Sequence, residues 1–365
     1  MGLIRLLFLS DTHLGFDYPF RPRIRRRRRG EDFFANFRRA LQPASMGRVD
    51  AVIHGGDLLF RSRVPARLVD MALTPLKELA DRGVPVFIVP GNHERSRLPF
   101  RLLGIHPRLH IFDFPRTFQL EIDGAKLALA GFPYERGNIR RRFPEVLEAT
   151  GWRDTSAGCE AVLLCVHHCF EGATVGPSDY KFRDAEDVIR LQDVPSGIHA
   201  VLSGHIHRRQ ALTQDLNDRH LRTPVLYPGS IERTSFAEKS ETKGYLLLTV
   251  GNGKRGRPPS LDWRFEDLPA RPMVRLRVQA KAMDSRALDL CLRRSVGRLD
   301  PDSIVQLQIK GPVRSECLPL LQAAYLREIC PPDMNINLGF SSFQPAQEGP
   351  IAITGNRLRR FSRDR

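Results

Sequence analysis

Short apolar runs alternate along the chain with longer stretches whose apolar positions recur every three or four residues. Ile4–Leu9, Ala51–His54, Val84–Val89, Leu127–Ala130, Ala161–Val166, Ala200–Leu202, Val225–Tyr227 and Tyr245–Val250 are near-continuous apolar runs. That is the pattern of strands buried on both faces. Between the first two, Glu31–Leu41 places Phe33, Phe34, Phe37, Ala40 and Leu41 at i, i+1, i+4, i+7 and i+8, one face of a helix. Ala66–Ala80 is also helical in pattern, with Pro75 expected to kink or split it. Asp262–Phe265 reads as a last strand. This order predicts an α/β fold of two stacked sheets flanked by helices.

A Gly- and Pro-rich basic turn, Gly251–Pro259, interrupts the pattern. A shorter series follows: strand Val274–Val278, helix Ser285–Val296, strand Ile304–Ile309 and helix Cys317–Ile329. The expected organisation is a main domain over 1–268, a small α/β cap over 269–335 and a basic tail over 336–365. The tail has few aliphatic clusters and reads as flexible or partner-binding.

Composition adds a charge argument. The 365 residues hold 57 Lys+Arg against 41 Asp+Glu, a net charge of +16 at pH 7. Hydrophobic residues at 41% and charged residues at 27% fit a globular chain and exclude wholesale disorder. The charge excludes an acidic solvating protein and favours a polyanionic partner. It is densest at Arg23 and Arg25–Arg29, six arginines in seven positions. That patch reads either as a solvated loop or as a phosphate-backbone contact. No apolar run reaches the roughly 18 residues of a membrane span. Met1–Ser10 is broken by Arg5 and reads as a buried strand, not a signal peptide. The six cysteines form no CxxC pair, which fits a reducing cytoplasm. Cys165 and Cys169 flank two histidines, but no second cysteine pair follows at zinc-finger spacing.

The chemistry lies where the expected strands end. The first ends in Asp11-Thr12-His13, the second in Gly55-Gly56-Asp57 and the third in Gly91-Asn92-His93-Glu94. Later strands end in His167-His168 and in Gly204-His205-Ile206-His207. Ligand sites in α/β sheets lie at the carboxyl ends of strands, so these groups converge on one rim. Carboxylate, amide oxygen and imidazole together suit a two-metal centre. Asp11 with His13, and His205 with His207, are spaced i, i+2, so each pair points one way in an extended segment. Each motif alone is weak; five in this order are not explained by packing.

The series DTH, GGD, GNHE, HH and GHIH resembles the calcineurin-like metallophosphoesterase superfamily over residues 1 to about 250. Within it, SDTHLG at Ser10–Gly15, HGGDLL at His54–Leu59, GHIH and YPGS at Tyr227–Ser230 are most similar to the SbcD-type DNA repair nuclease subunits. The resemblance implies a two-sheet metallophosphoesterase sandwich with a C-terminal cap. It implies that Asp11, His13 and His207 hold one divalent ion, that Asn92, His167 and His205 hold the other, and that Asp57 bridges them. His93 would sit beside the attacked phosphate as the catalytic proton donor. The implied ion is manganese, and the implied chemistry is in-line attack on phosphorus by a water that two ions activate. At the HH pair His168 remains an alternative to His167. Glu94 stands where these nucleases more often have Asp, and reads as an exposed acid supporting the site. Phe60 stands where they often have a second histidine, and His54 reads as a support or core residue.

Two enzyme readings remain. One is a DNA nuclease, an exonuclease with possible endonuclease action, whose phosphate contacts would be Arg25, Arg26, Arg27, Arg28, Arg29, Arg208 and Arg209. The other is a phosphodiesterase or phosphatase of small nucleotides or lipid headgroups, which needs the same centre but no basic track. The resemblance further implies an SbcC-like coiled-coil ATPase partner and a homodimer formed through Glu31–Leu41 or Arg61–Ala80.

Overall fold

The strand Leu3–Leu9 explains most of the architecture. Leu6 and Phe8 face one side of it, Leu7 and Leu9 the other, and all four are fully buried. Such a strand needs a layer on each side. In the computed structural model, which describes residues 3–19, 26–94, 106–251 and 259–339, it lies inside a six-stranded sheet. The order there is Ser260–Asp267, Gly244–Gly251, Leu3–Leu9, Ala51–His54, Val86–Ile88 and Leu109–Ile111. The last four run parallel, and the first two pair antiparallel. A second six-stranded sheet orders Gln210–Gln214, His220–Tyr227, Ala200–Ser203, Ala161–Val166, Ala125–Gly131 and Arg116–Ile122.

Leu6, Phe8, Ile53 and Phe87 meet Leu129, Leu163, Cys165 and Leu202 between the sheets. Leu7, Leu9, Val52 and Ile88 instead pack on Phe33, Phe37, Leu68 and Leu76 of the helices Arg29–Ser45 and Ala66–Asp81. On the outer side of the second sheet, Leu164, Val166 and Val201 pack on Phe143 and Val146 of the helix Ile139–Glu148. The fold is therefore α/β with two large sheets and flanking helices, as the apolar runs predict.

Two local expectations are corrected. Pro75 does not split its helix, which runs unbroken from Ala66 to Asp81; burial of Leu68, Ala72, Leu76 and Leu79 offsets the missing amide bond. Cys317–Ile329 is not one helix. A 3-10 turn Ser315–Leu321 holding Pro319 is separated by extended Gln322 from the helix Ala323–Ile329. Cys165 and Cys169 are buried in the apolar cores, where burial pushes both thiols up, and neither joins a metal-binding group among the described residues. The strands Leu109–Ile111, Arg116–Ile122 and Gln210–Gln214 were not expected; as edge strands they carry more polar residues.

The chain divides into two compact units, residues 1–271 and 272–365. The second unit holds three parallel strands, Met273–Gln279, Ile304–Lys310 and Asn335–Leu338, in that order. Its helix Ser285–Val296 starts on Asp284, whose side chain accepts from the Ala287 amide at 2.8 Å. Residues 336–339 of the expected tail form the end of that third strand and its exit; 340–365 lie outside the described residues. No helix among the described residues is long and apolar enough to cross a membrane.

Candidate metal centre

The parallel strands of both sheets deliver their carboxyl ends to one edge of the first unit. The loop after Leu3–Leu9 is laced to the loop after Ala51–His54: the Asp11 amide donates to Gly56 O and the His13 amide to Asp57 O, each at 2.9 Å. Asp11, His13, Asp57 and His205 all have positive φ, at 51°, 43°, 53° and 81°. Such conformations cost about 1–3 kcal/mol each in non-glycine residues and persist where the surroundings over-determine them. The flanking glycines make room: a Cβ on Gly91 would overlap the Asp57 carboxylate, and one on Gly56 would overlap the His167 ring.

The donors converge as follows. Ligand atoms of Asp11, His13 and His207 lie within 4.8 Å of one another, as do those of Asp11, Asp57 and His167. His13, Asp57 and His93 form a third such group. Asn92 Oδ1 is 3.0 Å from His167 Nε2 and 3.1 Å from His205 Nδ1. The His205 amide donates to the Asp11 carboxylate at 3.1 Å. Asp11, His13, Asp57 and His167 are almost completely buried, whereas the His93 side chain keeps 39% of its surface exposed.

This donor set suits cations. His167 Nδ1 faces the Gly55 carbonyl at 2.7 Å and must donate to it, so its Nε2 turns to Asn92 Oδ1 and to Asp57 Oδ2, 3.4 Å away. Without a further proton, that contact sets lone pairs against lone pairs. His207 repeats the arrangement: Nδ1 lies 3.3 Å from Glu238 Oε1, and Nε2 lies 2.9 Å from His13 Nε2. Protonation relieves the crowding in one way. Burial works to lower the His167 imidazole, but the Asp57 carboxylate outweighs it and carries it up to about 9. Asp57 is correspondingly held well below the usual carboxylate range, against its burial, by the charge on His167. A metal ion relieves it in the other way. Burial holds His13 far below its ordinary value and His205 at about 3, which is the neutral form that ligates.

Residues 4–209 match the family model described as calcineurin-like phosphoesterase. The chain belongs to that family. Its curated relatives include the DNA double-strand break repair protein Mre11 of Haloferax volcanii, 27% identical over 312 residues, 85% of this chain and 62% of that protein. The protein of the same name from Methanosarcina mazei is 29% identical over 259 residues, 68% of this chain and 36% of that one. The Mre11 of Thermoplasma acidophilum is 25% identical over 266 residues, 68% of this chain and 62% of that one. The chain thus spans 36–62% of the length of these relatives.

Around this phosphoesterase centre the structure adds residues the sequence did not single out. Glu238 backs His207, and it is itself held by Thr234 Oγ1 at 2.6 Å and Lys243 Nζ at 2.7 Å. Lys243 is 1% exposed and also donates to Glu241 at 2.9 Å and to the His207 carbonyl at 2.8 Å. Against its burial, the His207 bond and the Lys243 charge hold Glu238 far below the usual range. The sequence carried one weak signal for it: Ser235-Phe-Ala-Glu238 has capping-box spacing. Glu94 is not exposed, as expected, but buried at 3%; it clamps two loops by accepting from the Leu59 amide at 2.5 Å and the Gly91 amide at 2.9 Å. Burial and the Asp57 charge push it up to about 8.

His168 turns away: its Nε2 accepts from the Glu135 amide at 3.1 Å and its ring stacks on Tyr134. His54 is fully buried, bonded to Thr12 Oγ1 at 3.0 Å and to the Gly56 amide at 3.3 Å. Phe60 holds His93, whose Nδ1 lies 2.6 Å from the Phe60 carbonyl.

The arginines have partners within the chain. Arg27 reaches Asp32 at 2.6 Å, and Arg28 pairs with Asp17. Arg29 begins the first helix, is buried and donates to the Arg233 carbonyl. Arg208 binds Asp179 at 2.5 Å and Glu241 at 3.2 Å, and Arg209 pairs with Asp267. Arg26 also has a partner, and Arg25 lies outside the described residues.

Proposed function

We propose that this protein is a metal-dependent nuclease of DNA repair that hydrolyses DNA phosphodiester bonds, chiefly as an exonuclease and also as an endonuclease. The observation that carries the reading is the buried cluster of Asp11, His13, Asp57, Asn92, His167, His205 and His207 with half-exposed His93 at its mouth. The family match and the relatives' printed role in double-strand break repair supply the substrate. Asp11, His13 and His207 would hold one divalent ion and Asn92, His167 and His205 another, with Asp57 between them; the proposed ion is manganese.

Two such ions supply the positive charge that makes a water acidic and neutralises the phosphate oxygens. The chain's own part is positioning. His207 is fixed in one tautomer by Glu238 and His167 by the Gly55 carbonyl, so both present Nε2 inward. His93 spends its Nδ1 proton on the Phe60 carbonyl, so Nε2 donates only in the imidazolium form, 3.8 Å from Asp57 Oδ2. That form delivers a proton to the developing charge on the phosphate or the leaving oxygen.

DNA is the proposed partner, and residues 269–335 are the proposed cap domain. An SbcC-like coiled-coil ATPase and a second copy of the chain complete the proposed assembly. The small-diester reading keeps one specific support: Arg27, Arg28, Arg208 and Arg209 pair with carboxylates. The test is manganese-dependent hydrolysis of linear double-stranded DNA, single-stranded DNA and bis-p-nitrophenyl phosphate, with H93A alongside. Loss of DNA degradation in H93A supports the nuclease; turnover of the small diester with DNA intact sinks it.

A further inference from the structure

Tyr134 sits among the imidazoles of the centre. It follows the strand Ala125–Gly131, which pairs in parallel with Ala161–Val166, Gly131 beside Cys165. Ala161–Val166 pairs in turn with Ala200–Ser203, Val166 beside Ser203. Parallel pairing brings the three exits off the sheet side by side, so Tyr134, the His167-His168 pair and His205 become neighbours. Tyr134 also ties the two sheets together. Its amide donates at 2.8 Å to the carbonyl of Pro90, two residues before Asn92.

The half-buried ring of Tyr134 touches three imidazoles. It lies flat on His168, with centroids 4.9 Å apart and planes at 17°. It leans on His205 at 5.9 Å and 36°, and meets His167 edge-on at 6.2 Å and 74°. All three separations fall in the range of about 4.5–7 Å over which aromatic rings attract. His168 is the fixed member of the group. It is 1% exposed, and its Nε2 accepts from the Glu135 amide at 3.1 Å. Its carbonyl accepts from Ser203 Oγ at 2.7 Å and from the Tyr227 hydroxyl at 3.2 Å. So held, His168 is a rigid plate behind Tyr134. These contacts fall on one half of the centre, whereas His207, in the other half, is backed by Glu238.

We propose that Tyr134, with His168 behind it, is a positioning residue for the ion-binding group Asn92, His167 and His205. The proposal rests on the two-ion reading above. The ring restricts rotation of the His167 and His205 imidazoles, and the amide bond holds the Asn92 loop against the second sheet. Ligands oriented from outside in this way bind an ion more tightly.

The experiment titrates the full chain with manganese by calorimetry and records the electron paramagnetic resonance spectrum at two equivalents. Wild type is compared with Y134A and Y134F. Wild type binds two equivalents and gives the spectrum of a coupled pair. In Y134A one equivalent weakens by about 10–100-fold, the other keeps its affinity, and the spectrum becomes that of isolated ions. Y134F keeps the ring and matches wild type. A thermal melt in EDTA shows whether Y134A is folded. If it is not, Y134L, which fills the space without an aromatic face, carries the test with the same expectation. A Y134A isotherm equal to wild type overturns the proposal and leaves the two-ion reading standing, and so does equal weakening of both equivalents. A loss in Y134F that matches Y134A overturns the role of the ring. Wild-type protein that binds fewer than two equivalents overturns both readings.

Discussion

The chain uses parallel strands in two ways. In the first unit, Leu3–Leu9, Ala51–His54 and Val86–Ile88 are buried on both faces, and all their chemistry sits at the carboxyl ends. In the second unit, Met273–Gln279 and Ile304–Lys310 pack Leu276, Val278, Leu307 and Ile309 against the helices, and set Arg275 beside Gln306 and Arg277 beside Gln308 on the other face. The first arrangement makes a small, desolvated site where lone pairs are forced together and a cation is the natural remedy. The second leaves Arg275, Arg277 and Gln279 exposed to solvent. Burial is therefore what separates the two regions.

If that difference is right, substitutions in the two regions differ by orders of magnitude. The largest effect belongs to D57A, which removes the carboxylate shared by two of the candidate ligand groups. Manganese binding by calorimetry and hydrolysis should fall together, hydrolysis by more than about 10³-fold, because such groups act as a unit. H93A comes next. It should lower turnover by about 10²–10⁴-fold while leaving the calorimetric manganese isotherm in place. A parallel loss of metal would show that His93 is a ligand and not a proton donor.

E238A is smaller again. Freed from its 3.3 Å contact, His207 loses its fixed tautomer, and manganese affinity should drop by about 10–100-fold. Unchanged affinity would reduce Glu238 to a packing role. The smallest effect is expected on the sheet of the second unit. Q308A removes a neutral partner of Arg277 and should leave stability within about 0.5 kcal/mol. A large loss of stability in a urea melt would mean that the face is a buried interface after all.

Legibility in the sequence followed the range of the interactions. The strand ends were readable because each motif is local: Asp11 and His13, or His205 and His207, occur within three residues and follow an apolar run. Glu238 and Lys243 were not, because they lie 31 and 36 residues beyond the His207 they support. Glu94 was misplaced for a related reason: nothing local shows that the Leu59 amide, 35 residues away, turns a surface acid into a buried clamp. The arginines were readable as charge but not as available charge. Arg209 meets Asp267 across 58 residues, and Arg271 meets Asp32 across 239.

The sequence by itself determined the α/β class, the two-sheet core and the residues that line the site, because periodicity and strand-end motifs are set by backbone geometry within a few residues. Only the tertiary structure decided which lone pairs face one another, which histidine of the HH pair turns inward, and which arginines are already neutralised. Those outcomes depend on charge and hydrogen-bond partners that folding brings from distant parts of the chain into a medium with little water, where one carboxylate more or less reverses the result.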